Sequence, residues 1–227
     1  MLQNKLASSF SDSLNEECKK IATDAVELSL DSLLKDSALK DIPFISTAVS
    51  LYNIGVSIKD IHNIKKLAIF LEDLNKKILN TSDLEKYKAR FKSNKKASEK
   101  ELEYLLVILD RYVEYEKPKL LSEIYFAYLN KEINFNQLRA YSVVIDRLFP
   151  LDIPILKKAD KGPIEISERN ESQILRLSAL GLLSQKESHD IIPSLSNSNF
   201  TIPVIKDNPA YIQTKFGKVF SSIIQGG

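Results

Sequence analysis

The chain has 227 residues, with 44% hydrophobic and 27% charged side chains and a formal net charge of +2. That length is ample for one larger domain or two small ones, and the near-neutral balance excludes a global field drawing the protein to nucleic acid or acidic membranes. The single cysteine, Cys18, excludes an intrachain disulfide and a thiolate zinc cluster, while six glycines and no tryptophan favour helices over a strand-rich barrel.

Residues Met1 to Ser13 are polar and lack the apolar run of a signal peptide, so a cytoplasmic location is expected. Ser13-Leu14-Asn15-Glu16 has capping-box spacing, and Leu14, Cys18, Ile21, Ala25 and Leu28 follow at alternating intervals of four and three. That stripe makes Cys18 a small buried apolar side chain rather than a nucleophile. The stretch from Ile42 to Ile58 carries no charge. It is shorter than the roughly 20 residues of a membrane span and reads as a buried central helix, with Phe44, Ile45, Val49, Leu51 and Ile54 as its apolar set. The alternative is a membrane-active segment flanked by Lys40 and Lys59.

From Ile61 onward, Ile64, Leu67, Leu71, Leu74 and Ile78 form another helical stripe. Ser82-Asp83-Leu84-Glu85 and Ser98-Glu99-Lys100-Glu101 have the spacing of two further capping boxes. The first opens a short basic helix, and the second a helix striped by Leu102, Leu105, Leu109 and Tyr112. Pro118 ends that helix or starts the next, and Asn134 caps one that stops at Phe149-Pro150.

Positive charge concentrates at Lys86, Lys88, Arg90, Lys92, Lys95 and Lys96, with Lys100 beyond, against only Glu85 and Glu99. The helix that follows is acidic, with Glu101, Glu103, Asp110, Glu114 and Glu116. Opposite charges on neighbouring helices read most simply as complementary solvated faces, and alternatively as a patch for a partner, nucleic acid or lipid.

After Pro150 the texture changes. Five of the eight prolines lie from Pro154 onward, Ser and Asn become frequent, and long stripes give way to short segments. The expected fold is therefore mainly α, with a helical bundle over residues 1–150 followed by a small α+β module over 151–227. In that module Asp152 to Ala159 reads as a helix and Ile164-Glu165-Ile166 as a strand. Ser167 caps a helix that stops at Gly181, and a polar loop runs from Ser184 to Asn199. Phe200-Thr201-Ile202, a turn near Asp207-Asn208-Pro209 and a strand at Tyr211-Ile212-Gln213-Thr214 then precede a closing helix with Val219, Phe220, Ile223 and Ile224.

Helix, small strand, helix, hairpin and closing helix is the order of a winged helix. The phrases Leu177-Ser178-Ala179-Leu180-Gly181-Leu182-Leu183 and Tyr211-Ile212-Gln213-Thr214-Lys215-Phe216-Gly217 resemble the leucine-x-x-leucine-glycine-leucine and threonine-x-x-glycine ending of many winged-helix proteins. With Phe149-Pro150-Leu151-Asp152 just upstream, the ending resembles the C-terminal half of the bacterial abortive-infection alpha family. The resemblance implies a prokaryotic phage-defence setting and a helical N-terminal region, and it brings no catalytic residues.

DNA reading by the module is not favoured. The segment from Leu151 onward has nine basic and eight acidic residues, too little excess charge to neutralise phosphates. His62 and His189 stand far apart, with no His-x-x-x-His or Cys-x-x-Cys spacing, and no Gly-rich phosphate loop appears. The expectation is a non-enzymatic bacterial or phage interaction protein, without metal or cofactor, acting through protein contacts. A nucleic-acid-binding regulator using the basic stretch and a membrane-active effector using 42–58 are the alternatives.

Overall fold

The computed structural model describes residues 5–35, 38–52, 57–186 and 209–225. They are mainly helical, with a small three-stranded antiparallel sheet, and fall into two units, 1–146 and 147–227. The division lies at Asp146, shortly before the boundary read at Pro150.

In the first unit, helix α1 (Lys5–Asp12) occupies the stretch that reads as a polar terminus. Leu6, Ala7 and Phe10 share its buried face. Phe10 is a hub of the core, its ring centroid 4.9 Å from that of Phe44, 4.8 Å from Phe91 and 6.1 Å from Tyr125, all edge-on. Such aromatic pairs add to the large apolar area that each ring buries.

Helix α2 (Glu16–Glu27) starts at Asn15, whose Oδ1 accepts the Cys18 N–H at 2.7 Å. The expected cap, Ser13, is engaged elsewhere: its hydroxyl donates to the Ser9 carbonyl at 2.8 Å and accepts the Phe44 N–H at 2.9 Å. Ser13 thereby serves the first turn of α4 (Pro43–Tyr52), which follows α3 (Leu30–Lys35) and a 3-10 turn at Ala38–Asp41. Cys18 is buried, as its stripe requires.

Helix α4 packs on α1. Ile42, Phe44, Ile45 and Ala48 are fully buried and Val49 and Leu51 half-buried, while Ile54 lies outside the described residues. The described part of the run from Ile42 to Ala48 thus belongs to the core, whereas Ile58 is 78% exposed. Ten helical residues rise about 15 Å, half the roughly 30 Å of a bilayer core. Among the described residues no helix is long and apolar enough to cross a membrane.

Helix α5 (Ile58–Leu79) opens with a reciprocal Ser57–Asp60 capping box and packs against α2 and α8 (Glu116–Leu129). Helix α6 (Leu84–Ser93) follows Asp83, whose side chain makes no cap bond and accepts from Lys86 Nζ instead. Helix α7 (Lys95–Arg111) begins earlier than the expected box at Ser98. Asn94 takes the cap position, accepting the Ala97 N–H at 3.4 Å, and asparagine is as good a cap as serine. Ser98 and Glu99 then fall inside the helix, and both are buried. Helix α9 (Phe135–Arg147) is boxed by Asn134 and Gln137, each accepting the other's backbone N–H.

The second unit runs through a 3-10 turn (Pro150–Asp152), α10 (Ile153–Asp160), β1 (Ile164–Glu165), α11 (Glu171–Ala179), β2 (Leu183–Gln185), β3 (Ala210–Gln213) and α12 (Lys215–Gln225). The sheet order is β1-β3-β2, pairing Ile164 with Tyr211 and Leu183 with Gln213. Strand β2 extends into the stretch that reads as polar loop. Helix α11 starts only at Glu171 because residues 167–170 form a turn, with the Ser167 N–H on Asn170 Oδ1 at 2.7 Å. The segment Phe200-Thr201-Ile202 and the turn residues Asp207 and Asn208 lie outside the described residues.

The leucine–glycine and threonine–glycine phrases have a concrete physical basis. Gly181, at φ +72°, ends α11, with the Leu182 N–H on the Leu177 carbonyl and its own N–H on that of Ser178. That is the Schellman pattern, which favours glycine. Thr214 joins the two phrases: its N–H donates to the Leu182 carbonyl (3.1 Å) and its hydroxyl to the Gly181 carbonyl (2.6 Å). The same hydroxyl accepts the Gly217 N–H at 2.9 Å, capping α12. At Gly217 any Cβ would overlap the Leu182 carbonyl oxygen. These residues fasten α12 to the end of α11.

Candidate interaction surfaces

The six residues of the basic stretch separate into three kinds. Lys86 pairs with Asp83 at 3.2 Å and Lys88 with Glu85 at 3.7 Å, both one turn apart on α6. Arg90 turns inward. Its Nη1 donates to Glu101 Oε1 at 3.0 Å and its Nη2 to Glu101 Oε2 at 2.7 Å, while Nη2 also reaches the Tyr128 hydroxyl at 3.0 Å. The guanidinium lies 5.0 Å from the Tyr128 ring centroid and 5.1 Å from that of Phe91. Glu101, only 5% exposed, also accepts from the Tyr125 and Tyr128 hydroxyls. Burial, with the Glu101 charge behind it, pushes the Tyr125 hydroxyl far above its ordinary range, so it acts as a donor.

Lys92, Lys95 and Lys96 remain exposed, and so does Lys100, one turn beyond Lys96. The described residues show no ion pair to any of the four. The nearest carboxylates in sequence face inward: Glu99 Oε1 accepts the Ala7 N–H at 2.8 Å, and Glu101 holds Arg90. The acidic character read for the start of α7 is therefore absent from its surface until Glu103. The simple reading of complementary solvated faces fails at this turn, because the pairing carboxylates are buried.

In the second unit, Asp152 is 1% exposed and binds Arg176 of α11 through two oxygens, at 2.7 and 2.6 Å. The Arg176 guanidinium also lies 5.4 Å from the Phe149 ring centroid. Gln173 Nε2 donates to the Leu151 carbonyl at 3.1 Å, so the 149–152 turn runs along α11. Phe149 is 47% exposed, Leu151 69% and Leu175 50%.

Lys66, which the sequence did not single out, and His62 meet where α5 faces the α7–α8 turn. Lys66, 1% exposed, donates to the Tyr112 carbonyl at 2.7 Å and the Asp110 carbonyl at 3.0 Å, the last carbonyls of α7. Burial lowers it to about 8, against a partial offset from Asp110. His62 bonds the Tyr115 hydroxyl through Nδ1 at 2.7 Å and the Val113 carbonyl through Nε2 at 3.1 Å; burial and then the Lys66 charge lower it. Each of these groups is occupied by a backbone or hydroxyl partner, and a buried lysine on helix-end carbonyls is a cap. A cleft of about 330 Å³ beside them is lined by Leu67, Leu106, Val107, Asn63, Lys59 and Asp110. Its polar side chains bond one another, with Asn63 Nδ2 on Asp110 Oδ1 at 2.5 Å and Lys59 3.5 Å from the same oxygen.

Among the described residues no group of three or more His, Cys, Asp or Glu side chains is placed to hold a metal ion. Comparison with protein-family models, curated proteins and solved structures finds no match for the chain.

Proposed function

We propose that the protein is a non-enzymatic interaction protein of bacterial or phage origin, acting in phage defence through protein–protein contacts, with a winged-helix-like C-terminal module. The module reading is supported by the order helix, strand, helix, strand, strand, helix and by β3 lying between β1 and β2. The phrases shared with winged-helix endings and with the abortive-infection alpha family support it further, since Gly181, Thr214 and Gly217 build the α11–α12 junction.

One observation carries the protein-contact reading. The arginine of α11 is held by Asp152 and Phe149, and three large apolar side chains around it are exposed: Phe149, Leu151 and Leu175. A helix that reads DNA presents basic and amide groups to the groove. This one has its arginine paired with Asp152 and exposes Leu175 beside Glu171 and Ser172, which suits a protein partner offering an apolar side chain.

Plating of a phage panel on cells expressing the chain tests the reading. Plating falls for at least one phage, and Leu151→Asp/Leu175→Asp abolishes the protection while leaving the melting temperature unchanged. Plating equal to that on empty-vector cells, or protection untouched by the double variant, overturns it.

A further inference from the structure

We infer that the α6–α7 turn is a binding surface for the phosphodiester backbone of double-stranded nucleic acid, independent of sequence. This goes beyond contacts between proteins and belongs to the first unit alone.

Lys92, Lys95, Lys96 and Lys100 crowd nine residues, all exposed and without an ion-pair partner among the described residues. Charge counting along the sequence hides this surface, because Glu99 and Glu101 appear to balance it. The fold removes both: Glu99 goes to the Ala7 amide and Glu101 to Arg90. What is left outward is cationic, on a protein whose total charge is only +2. The field is local and short-ranged, falling off over about 8 Å at physiological salt.

The accompanying side chains choose the partner. A single strand is gripped by aromatic rings on which bases stack. Here Tyr87 and Phe91 are buried in the core, so the surface offers no such ring. Stable attachment to an anionic membrane needs an apolar anchor beside the basic patch. The exposed neighbours are Ser93, Asn94 and Ala97, which supply none. Protein interfaces are poor in lysine and rich in arginine and aromatics. This turn has the opposite composition, and its one arginine faces inward. A regular array of phosphates asks only for point charges, and lysine supplies them.

The number of lysines sets the measurement. Four neutralised phosphates give a slope of log K against log salt of roughly −3 to −4. Binding of the full chain to two fluorescent DNA duplexes of unrelated sequence is followed by anisotropy as salt is raised. Both duplexes bind alike with that slope. Lys95→Gln/Lys96→Gln, two exposed changes that leave the melt unaltered, reduces the slope by about 2. Lys157→Gln/Lys158→Gln on α10 leaves it unchanged. Absence of duplex binding at low salt overturns the inference, as does a slope that survives the α7 variant. Binding to phosphatidylserine-containing vesicles or to polyglutamate in preference to duplex also overturns it, in favour of a lipid or an acidic protein.

Discussion

Arg90 and Glu101 face each other through two parallel hydrogen bonds, of 3.0 and 2.7 Å, that tie α6 to α7. The pair is worth more to the architecture than to the surface charge. It withdraws one cation from the basic stretch and one anion from the acidic helix, and Tyr125 and Tyr128 fill the remaining acceptor capacity of Glu101. Burial opposes the charge of Arg90, and its bonds to Glu101 more than compensate.

Breaking the pair from one side strands a buried carboxylate. Arg90→Ala lowers the stability of the chain by about 3 kcal/mol in urea denaturation, since removing one partner leaves the other desolvated and unpaired. Arg90→Met/Glu101→Leu loses less than Arg90→Ala alone, because both charges depart together. A double variant less stable than the single one would refute this account of the network.

Gly181 and Gly217 differ in what they require. Gly181 needs a left-handed backbone and has open space around it, so Gly181→Ala costs about 1 kcal/mol. At Gly217 the obstacle is the Leu182 carbonyl, a fixed backbone atom, and Gly217→Ala costs about 2–3 kcal/mol by forcing α12 away from α11. Hydrogen exchange reports the difference. Amides of β2 and β3 lose more protection in Gly217→Ala than in Gly181→Ala, and equal losses would count against the close approach.

Local rules were readable and distant partnerships were not. The Gly181 stop, the Asn134 cap and the stripe of α5 follow from residues within one or two turns of each other, and the structure has them. Phe10 was missed because its pattern, Leu6 and Phe10 one turn apart, is too short to stand out in a polar stretch. Ser13 reads as a local cap and Glu99 as a charge opposing the basic stretch, although Ser13 serves α4 and Glu99 serves α1. Nothing in the neighbouring residues signals such a choice, because the competing amide lies far along the chain. The lysine surface was obscured for the same reason: composition counts carboxylates without showing which ones turn inward.

Phe10→Ala probes the hub that the sequence concealed. The ring is fully buried among Phe44, Phe91 and Tyr125, and its loss leaves a cavity that these rings cannot close. The expected loss is about 3–5 kcal/mol in chemical denaturation. Phe10→Leu, which refills most of the volume, loses markedly less. A chain indifferent to Phe10→Ala would mean that α1 contributes nothing to the core.

Lys66 makes stability depend on pH in a window set by its own shift. In the folded chain burial brings its ammonium down to about 8, and when unfolded it returns to its ordinary 10.5. The unfolded chain therefore holds this proton more tightly. Below pH 8 both states are charged, and folding carries the full burial penalty. Between pH 8 and 10.5 the folded chain releases the proton first, so stability rises with pH, by about 3 kcal/mol in all. Asp110 and Lys59 act on the same ammonium in opposite directions, and His62 lies beside it, so the comparison is with Lys66→Met, which keeps those groups, gives up the bonds to the Asp110 and Tyr112 carbonyls and removes the titration. Stability against pH, measured by denaturation for both chains, shows the wild-type curve climbing relative to the variant across that window. Parallel curves would mean that the amine is solvated and that the end of α7 is held by other means.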